Sequence, residues 1–354
     1  MMRIWSVFAC AALLLLVACT SIGPTTIPRD RFDYSGALAE SWKNQMLLNL
    51  VKMRYLDLPI YLEVGQIVSG YTLESTASIG GQIGNTVAGT NFFELGTTGR
   101  YVDRPTITYT PLTGAKYLEG FLSPIEMTKV LALIQAGFDA GFILELSVES
   151  LNGLRNQSVT MGSKYEADAG FFRALRLLRE IQDAGAVGLR REESKDSERP
   201  TYLFFRKDDI HPDVPAKINE LRAILRLEPG RSEYRLVNSP LPTRPAELAI
   251  STRSLSQVLI ALSLGVDIPQ PHVIRRLTPI LPVLPSDAPT LLRVHSGSDR
   301  PADAFVAVRY EDEWFWIAND DWRSKRTFSS MLFLFTLADV SDQQHAPVLT
   351  IPTQ

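Results

Sequence analysis

The chain has 354 residues, with 36 basic against 39 acidic side chains, a formal net charge of −3 and four histidines. That balance leaves no electrostatic footprint for nucleic acid, and the length suffices for one large domain or two ordinary ones. Both cysteines, Cys10 and Cys19, lie near the start, so residues 20–354 exclude a disulfide, a zinc–thiolate site and a Cys nucleophile.

The chain opens with one positive charge, Arg3, and an apolar run at 7–18 that ends in small residues. A transmembrane span needs about 20 apolar residues, so this run reads as a secretory signal. Its end, Leu16-Val17-Ala18-Cys19, resembles the lipobox of bacterial lipoproteins: an aliphatic residue, a small or aliphatic one, a small one, then Cys. The resemblance covers only the first stretch of the chain. It implies cleavage after Ala18, a diacylglyceride on the Cys19 thiol and an acylated amino group. Thr20 stands where an Asp would mark inner-membrane retention in a Gram-negative cell, so the resemblance implies an outer-membrane anchor and a periplasmic body. Several acyl chains hold a membrane stably where one does not. The lipid bilayer, reached through the Cys19 chains, is thus the first expected partner.

Four regions are expected: a signal peptide at 1–18, a lipidated tether at 19–33, an N-terminal α+β region with a Gly-rich hairpin at 34–160, and a C-terminal α+β region at 161–354. The tether carries Pro24 and Pro28 and no periodic pattern; extended, it reaches at most roughly 45 Å. A helix follows at 36–55, with Ser35 as N-cap and Leu38, Trp42, Met46, Leu50 and Met53 on one core face.

Residues 71–104 read as a long Gly/Thr-rich β-hairpin. Tyr71, Leu73, Ala77, Ile79 and Ile83 alternate with Thr72, Glu74, Thr76, Ser78 and Gln82, and after a Gly/Asn loop Phe93, Leu95 and Tyr101 alternate with Glu94, Thr98 and Arg100. One register pairs Leu73 with Tyr101, Ile79 with Leu95 and Glu74 with Arg100, and sets Phe93 over Gly81. Each run is long enough to cross a bilayer as a tilted barrel strand, so Leu73, Ile79, Phe93, Leu95 and Tyr101 are candidates for a membrane hairpin. The plainer alternative is a soluble hairpin packed on its own body.

Further on come an extended strand at 105–111, a short helix at 113–121, and a capping box, Ser123-Pro124-Ile125-Glu126, opening a helix that stops at Gly137. Residues 141–150 alternate as a half-buried strand. A second box, Ser163 to Glu166, opens a helix to residue 184 with Phe171, Leu175, Leu178 and Ile181 on one face. Strands are expected at 187–191 and 202–207, a helix capped by Asp213, strands at 234–237 and 247–252, and a third boxed helix from Ser254 and Gln257 to Gly265. Six prolines break up 269–289. The last block holds strands at 291–295, 305–310 and 314–318, a basic amphipathic helix at 324–338 and a strand at 348–351. The sum is α+β, mainly antiparallel, with about six to seven amphipathic helices.

Motifs for a serine nucleophile elbow, a phosphate loop, a dinucleotide fold and His-Glu-x-x-His are missing, and no cofactor is implied. Asp208, Asp209, His211 and Asp213 make a weak metal candidate; a helix-entry loop is the ordinary alternative. His295 with Ser296 and Asp299 is a weak acid–base set. Trp314 and Trp316 on one strand face, with Asp320, Asp321 and Trp322 beyond, form a candidate surface for sugar rings or peptides; a tryptophan face covered by core is the alternative. The first expectation is a non-enzymatic structural or assembly lipoprotein of the envelope, with envelope proteins or further copies of itself as partners. The others are an oligomeric pore or export subunit using the 71–104 hairpin, and a glycan-binding or hydrolytic module.

Overall fold

The computed structural model describes residues 23–68, 71–82, 92–103, 105–111, 119–160, 163–192, 200–206, 208, 210–279 and 291–338. The signal and Cys19, the hairpin tip, most of the helix expected at 113–121, Asp209, much of the proline run and the strand expected at 348–351 lie outside them. The chain divides into two compact units: residues up to Trp42 with Tyr61–Pro111, and Lys43–Ile60 with Leu112–Gln344. The fold is α+β with mainly antiparallel strands.

Helix α1 runs Gly23–Arg54, so the expected tether is helical from residue 23 and Ser35 lies inside a helix instead of capping one. Pro24 falls in the first turn, where the missing N–H is no loss, and Pro28 removes a single bond from a long helix. Met46 and Leu50 are buried, as the stripe predicts, and Met53 is half-buried; Trp42 is 52% exposed and is not core.

The first unit also holds β1 (Leu62–Val68), β2 (Tyr71–Gln82), β3 (Phe92–Asp103) and β4 (Thr106–Pro111). β1 pairs with β4 and β2 with β3, all antiparallel.

In the second unit, α2 (Met127–Gln135), α3 (Ala140–Ser147), α4 (Ala169–Asp183) and α5 (Val214–Ile224) accompany a six-stranded sheet. Its strands are β5 (Val148–Leu151), β6 (Leu154–Arg155), β9 (Val187–Arg191), β10 (Thr201–Phe205), β11 (Glu233–Val237) and β12 (Glu247–Thr252), in the order β6-β5-β12-β11-β10-β9. A separate small pair, β7 (Ser158–Thr160) with β8 (Ser163–Tyr165), precedes α4. Only β11 and β12 run parallel. Their short return is held by Glu247, whose buried carboxylate accepts from Thr243 N, Thr243 Oγ1 and Arg244 N at 2.9–3.1 Å.

Three expectations fail here for identifiable reasons. Residues 140–147 form α3, not a strand: Phe142, Ile143, Leu144, Leu146 and Ser147 are all buried, and a segment covered on every side shows no reliable period. Its carbonyl end is satisfied by Arg253, which donates to Glu145 O at 3.2 Å and Leu146 O at 3.3 Å and also to Gln157 O, and by Asn156, which donates to Glu145 O and Val148 O. The box at Ser163 opens no helix because Ser163–Tyr165 pairs as β8; α4 starts after Asp168, whose side chain is occupied by Arg155 N at 2.7 Å. The box at Ser123 fails because Pro124 bridges Ser254 and Ile125 N bonds Arg253 O, so α2 starts after Glu126. The box at Ser254 forms in full and opens α6 (Leu255–Ser263).

The chain continues through α7 (Gln270–Ile274) to a three-stranded sheet, β13 (His295–Gly297), β14 (Ala304–Tyr310) and β15 (Glu313–Ala318), in the order β13-β15-β14, and the last described element is α8 (Trp322–Ala338).

Candidate functional site

The first candidate is built by β1 to β4. The register of β2 with β3 sets Leu73 opposite Tyr101, Glu74 opposite Arg100, Ile79 opposite Leu95 and Gly81 opposite Phe93, the pairing the alternation demands. The same register continues across β1 and β4, from Val68↔Thr106 to Gln66↔Thr108. The two pairs therefore keep one register and one phase.

At Gly65 that phase is corrected. The register shifts between Val64 and Gln66, leaving Gly65 as an extra, unpaired residue. A bulge of this kind moves every earlier side chain to the other face. It puts Leu62, Val64 and Ile67, with Pro111, Tyr109 and Ile107 opposite, on the face shared by positions 73, 79, 95 and 101. Without it, Leu62 and Val64 would fall among Glu74, Thr76 and Ser78.

On that polar face Glu74 and Arg100 lie 3.9 Å apart with both side chains well exposed, Thr76 and Thr98 are exposed, and Ser78 Oγ donates to Gly96 O at 3.4 Å. A Cβ on Gly96 would sit 2.7 Å from Ser78 Oγ, so a larger residue there would turn the exposed Ser78 side chain away. All six residues of β4 are exposed, which leaves both of its faces uncovered. Tyr109 is 56% exposed. Among the described residues each strand of the ribbon pairs only with its mate, and no third strand joins either outer edge.

The second candidate is the outer face of the three-stranded sheet. Phe315 and Ile317 of β15 are fully buried, opposite Val308 and Val306 of β14, while Trp314 and Trp316 point the other way and are half-covered. The tryptophan face is thus not core. Trp316 stands beside His295, ring centroids 5.7 Å apart, and leans over Gly297; Arg300 lies 5.4 Å over Trp314. The acids do not join this face. Asp321 caps α8, accepting from Ser324 N at 3.0 Å and Ser324 Oγ at 2.5 Å. Burial pushes its carboxyl up, and the Ser324 bonds outweigh this and hold it below the usual range. Asp320 and Trp322 are exposed, Trp322 with the Arg326 guanidinium 5.5 Å over its ring. Lys325 bonds Asn319 O at 2.9 Å rather than either acid.

The acid–base set is not assembled, and the metal candidate lies partly outside the described residues at Asp209. His295 approaches Asp267 at 3.6 Å, whereas Ser296 is on the opposite face of β13 and Asp299 accepts from Ser298. Asp213 bonds His211 and pairs with Lys217 at 3.0 Å, and these partners, His211 first, hold its carboxyl down at about 2. Asp208 is exposed, and among the described residues no three His, Cys, Asp or Glu side chains gather as a metal site.

One buried polar group gave no sequence signal. His272 is 1% exposed; its Nδ1 lies 2.6 Å from Tyr55 Oη and its Nε2 2.9 Å from Glu311 O. A carbonyl only accepts, so Nε2 carries the proton and the tyrosine hydroxyl donates to Nδ1. The bonded carbonyl belongs to a tight turn in which Glu311 (φ 48°) and Asp312 (φ 69°) are both left-handed without being glycine. His272 therefore braces a strained hairpin.

No protein-family model matches this chain, and no curated protein or solved structure matches it either.

Proposed function

We propose that this protein is a lipid-anchored, non-enzymatic assembly component of the bacterial outer membrane, working as an oligomer joined through the ribbon of the first unit. One observation carries the reading. Leu73, Ile79, Phe93, Leu95 and Tyr101 share one face of the ribbon, among the described residues each of its strands pairs only with its mate, and an isolated two-stranded ribbon is at best marginally stable in water. Neighbouring copies supply the strands it lacks. The lipobox-like Leu16-Val17-Ala18-Cys19 supports the anchor, and acyl chains on Cys19 would bring all copies to one surface.

The test is the mass of the detergent-extracted native protein, with and without Cys19→Ala. The expected result is a defined oligomer, released from the membrane fraction by the substitution. A native protein that stays monomeric at all concentrations, or one whose first residue is an unmodified Cys19, sinks the reading.

The outward, half-covered Trp314 and Trp316 favour a second reading, a glycan-binding face on the other unit. Peptidoglycan pull-down would then drop with Trp316→Ala; equal retention of both proteins removes it.

A further inference from the structure

The charged residues of the ribbon are not spread evenly over its two faces. Cross-strand partners in an antiparallel pair share a face. The rows Thr72↔Val102, Glu74↔Arg100, Thr76↔Thr98, Ser78↔Gly96, Gly80↔Glu94 and Gln82↔Phe92 make one face and carry Glu74, Glu94 and Arg100. The other face is made by Tyr71↔Asp103, Leu73↔Tyr101, Ser75↔Gly99, Ala77↔Thr97, Ile79↔Leu95 and Gly81↔Phe93. Its only charge is Asp103, in the row nearest the base.

From the row of Leu73 to that of Gly81 this second face holds no charged residue, over nine successive pairings. Nine residues fall within the roughly 9–11 that a tilted barrel strand needs to cross a bilayer. An outward apolar band, a polar inward face and a two-residue alternation are the requirements of a membrane barrel strand. An uncovered edge cannot stay open inside a bilayer, because no water is there to satisfy it. Strands 71–82 and 92–103 contain neither a proline nor a lysine, two of the residues that guard soluble edge strands.

We infer that the ribbons of several copies pair edge to edge and close into a β-barrel, with the rows from Leu73↔Tyr101 to Gly81↔Phe93 crossing a lipid bilayer around a water-filled lumen. The inference rests on the oligomer proposed above and names what that oligomer builds. Each copy contributes two strands, so the barrel has an even number. With about eight strands as the smallest such barrel, at least about four copies take part. Glu74, Arg100, Thr76 and Thr98 face the lumen, and positions 73, 77, 79, 95 and 97 face lipid.

The thiol-free body makes the test direct. Single cysteines are placed at Thr76, Ser78 and Thr98 on one face and at Ala77, Ile79 and Thr97 on the other. Each full-length variant is reconstituted into dye-filled phosphatidylcholine vesicles and exposed to a membrane-impermeant maleimide. The expected result is dye release by the unsubstituted protein, at least tenfold faster labelling of the first set than the second, and equal labelling of both in detergent. Ile79→Asp should abolish dye release. Oligomers that label both sets alike and release no dye overturn the barrel and leave the assembly standing. A protein that stays monomeric removes both.

Discussion

The six-stranded sheet of the second unit and the ribbon of the first are both largely antiparallel, but they differ in what covers them. Leu177 of α4 is fully buried, whereas Tyr109 of β4 is 56% exposed. In the sheet, helices supply the second layer that an apolar face needs. In the ribbon the residues of β4, Ile107 and Tyr109 among them, are left exposed. Stability is therefore a property of one chain in the second unit and, on our proposal, of several chains in the first.

Substitutions can break that contrast. Leu177→Ala should cost about 2–5 kcal/mol, because it leaves a cavity in a packed core; a fall in the urea midpoint measures it. Arg253→Met should cost about 2–4 kcal/mol by leaving buried helix-end carbonyls without donors. Burial already holds the Arg253 guanidinium down to about 10, with Glu149 and Glu145 opposing, so it stays charged at neutral pH. His272→Ala should cost about 2 kcal/mol through the two lost hydrogen bonds, and amide exchange in the turn at Glu311 should rise with it. Tyr109→Ser should change the monomer's stability by no more than about 0.5 kcal/mol yet lower the oligomer's mass. If it destabilises the monomer as Leu177→Ala does, the contrast is gone.

The smallest effect is alkaline. Burial first, then Asp57, raises Tyr310 to about 12, above the ordinary tyrosine value of about 10. The folded protein keeps a proton that the unfolded chain loses. The stability Tyr310 contributes is thus complete below about pH 10 and is lost as pH rises through about 12. Tyr310→Phe should flatten that part of the urea-midpoint profile.

The ribbon's pairing was legible because alternation, a Gly/Asn loop and the Glu74–Arg100 pair all select one register. The bulge at Gly65 was not, since β1 spaces its apolar residues by two and then by three, which fits neither strand nor helix. The parity of Trp314 and Trp316 could be read from the alternating strand, but which face was core depended on Val306 and Val308 across the sheet. The capping role of Asp321 was not legible because it depends on where α8 begins. His272 lay unmarked in a proline-rich run, since its partners are 217 and 39 residues away. The helical state of residues 23–33 was hidden by two prolines that a helix tolerates near its start.

That helix has a geometric consequence. A coil between an acylated Cys19 and the body would let each copy ride at its own height. α1 rises 1.5 Å per residue, which sets Gly23 about 28 Å from Trp42 within the first unit. On our proposal of an acylated Cys19 it would be a spacer of set length, and copies moored in one leaflet would bring corresponding residues of the first unit to a common level.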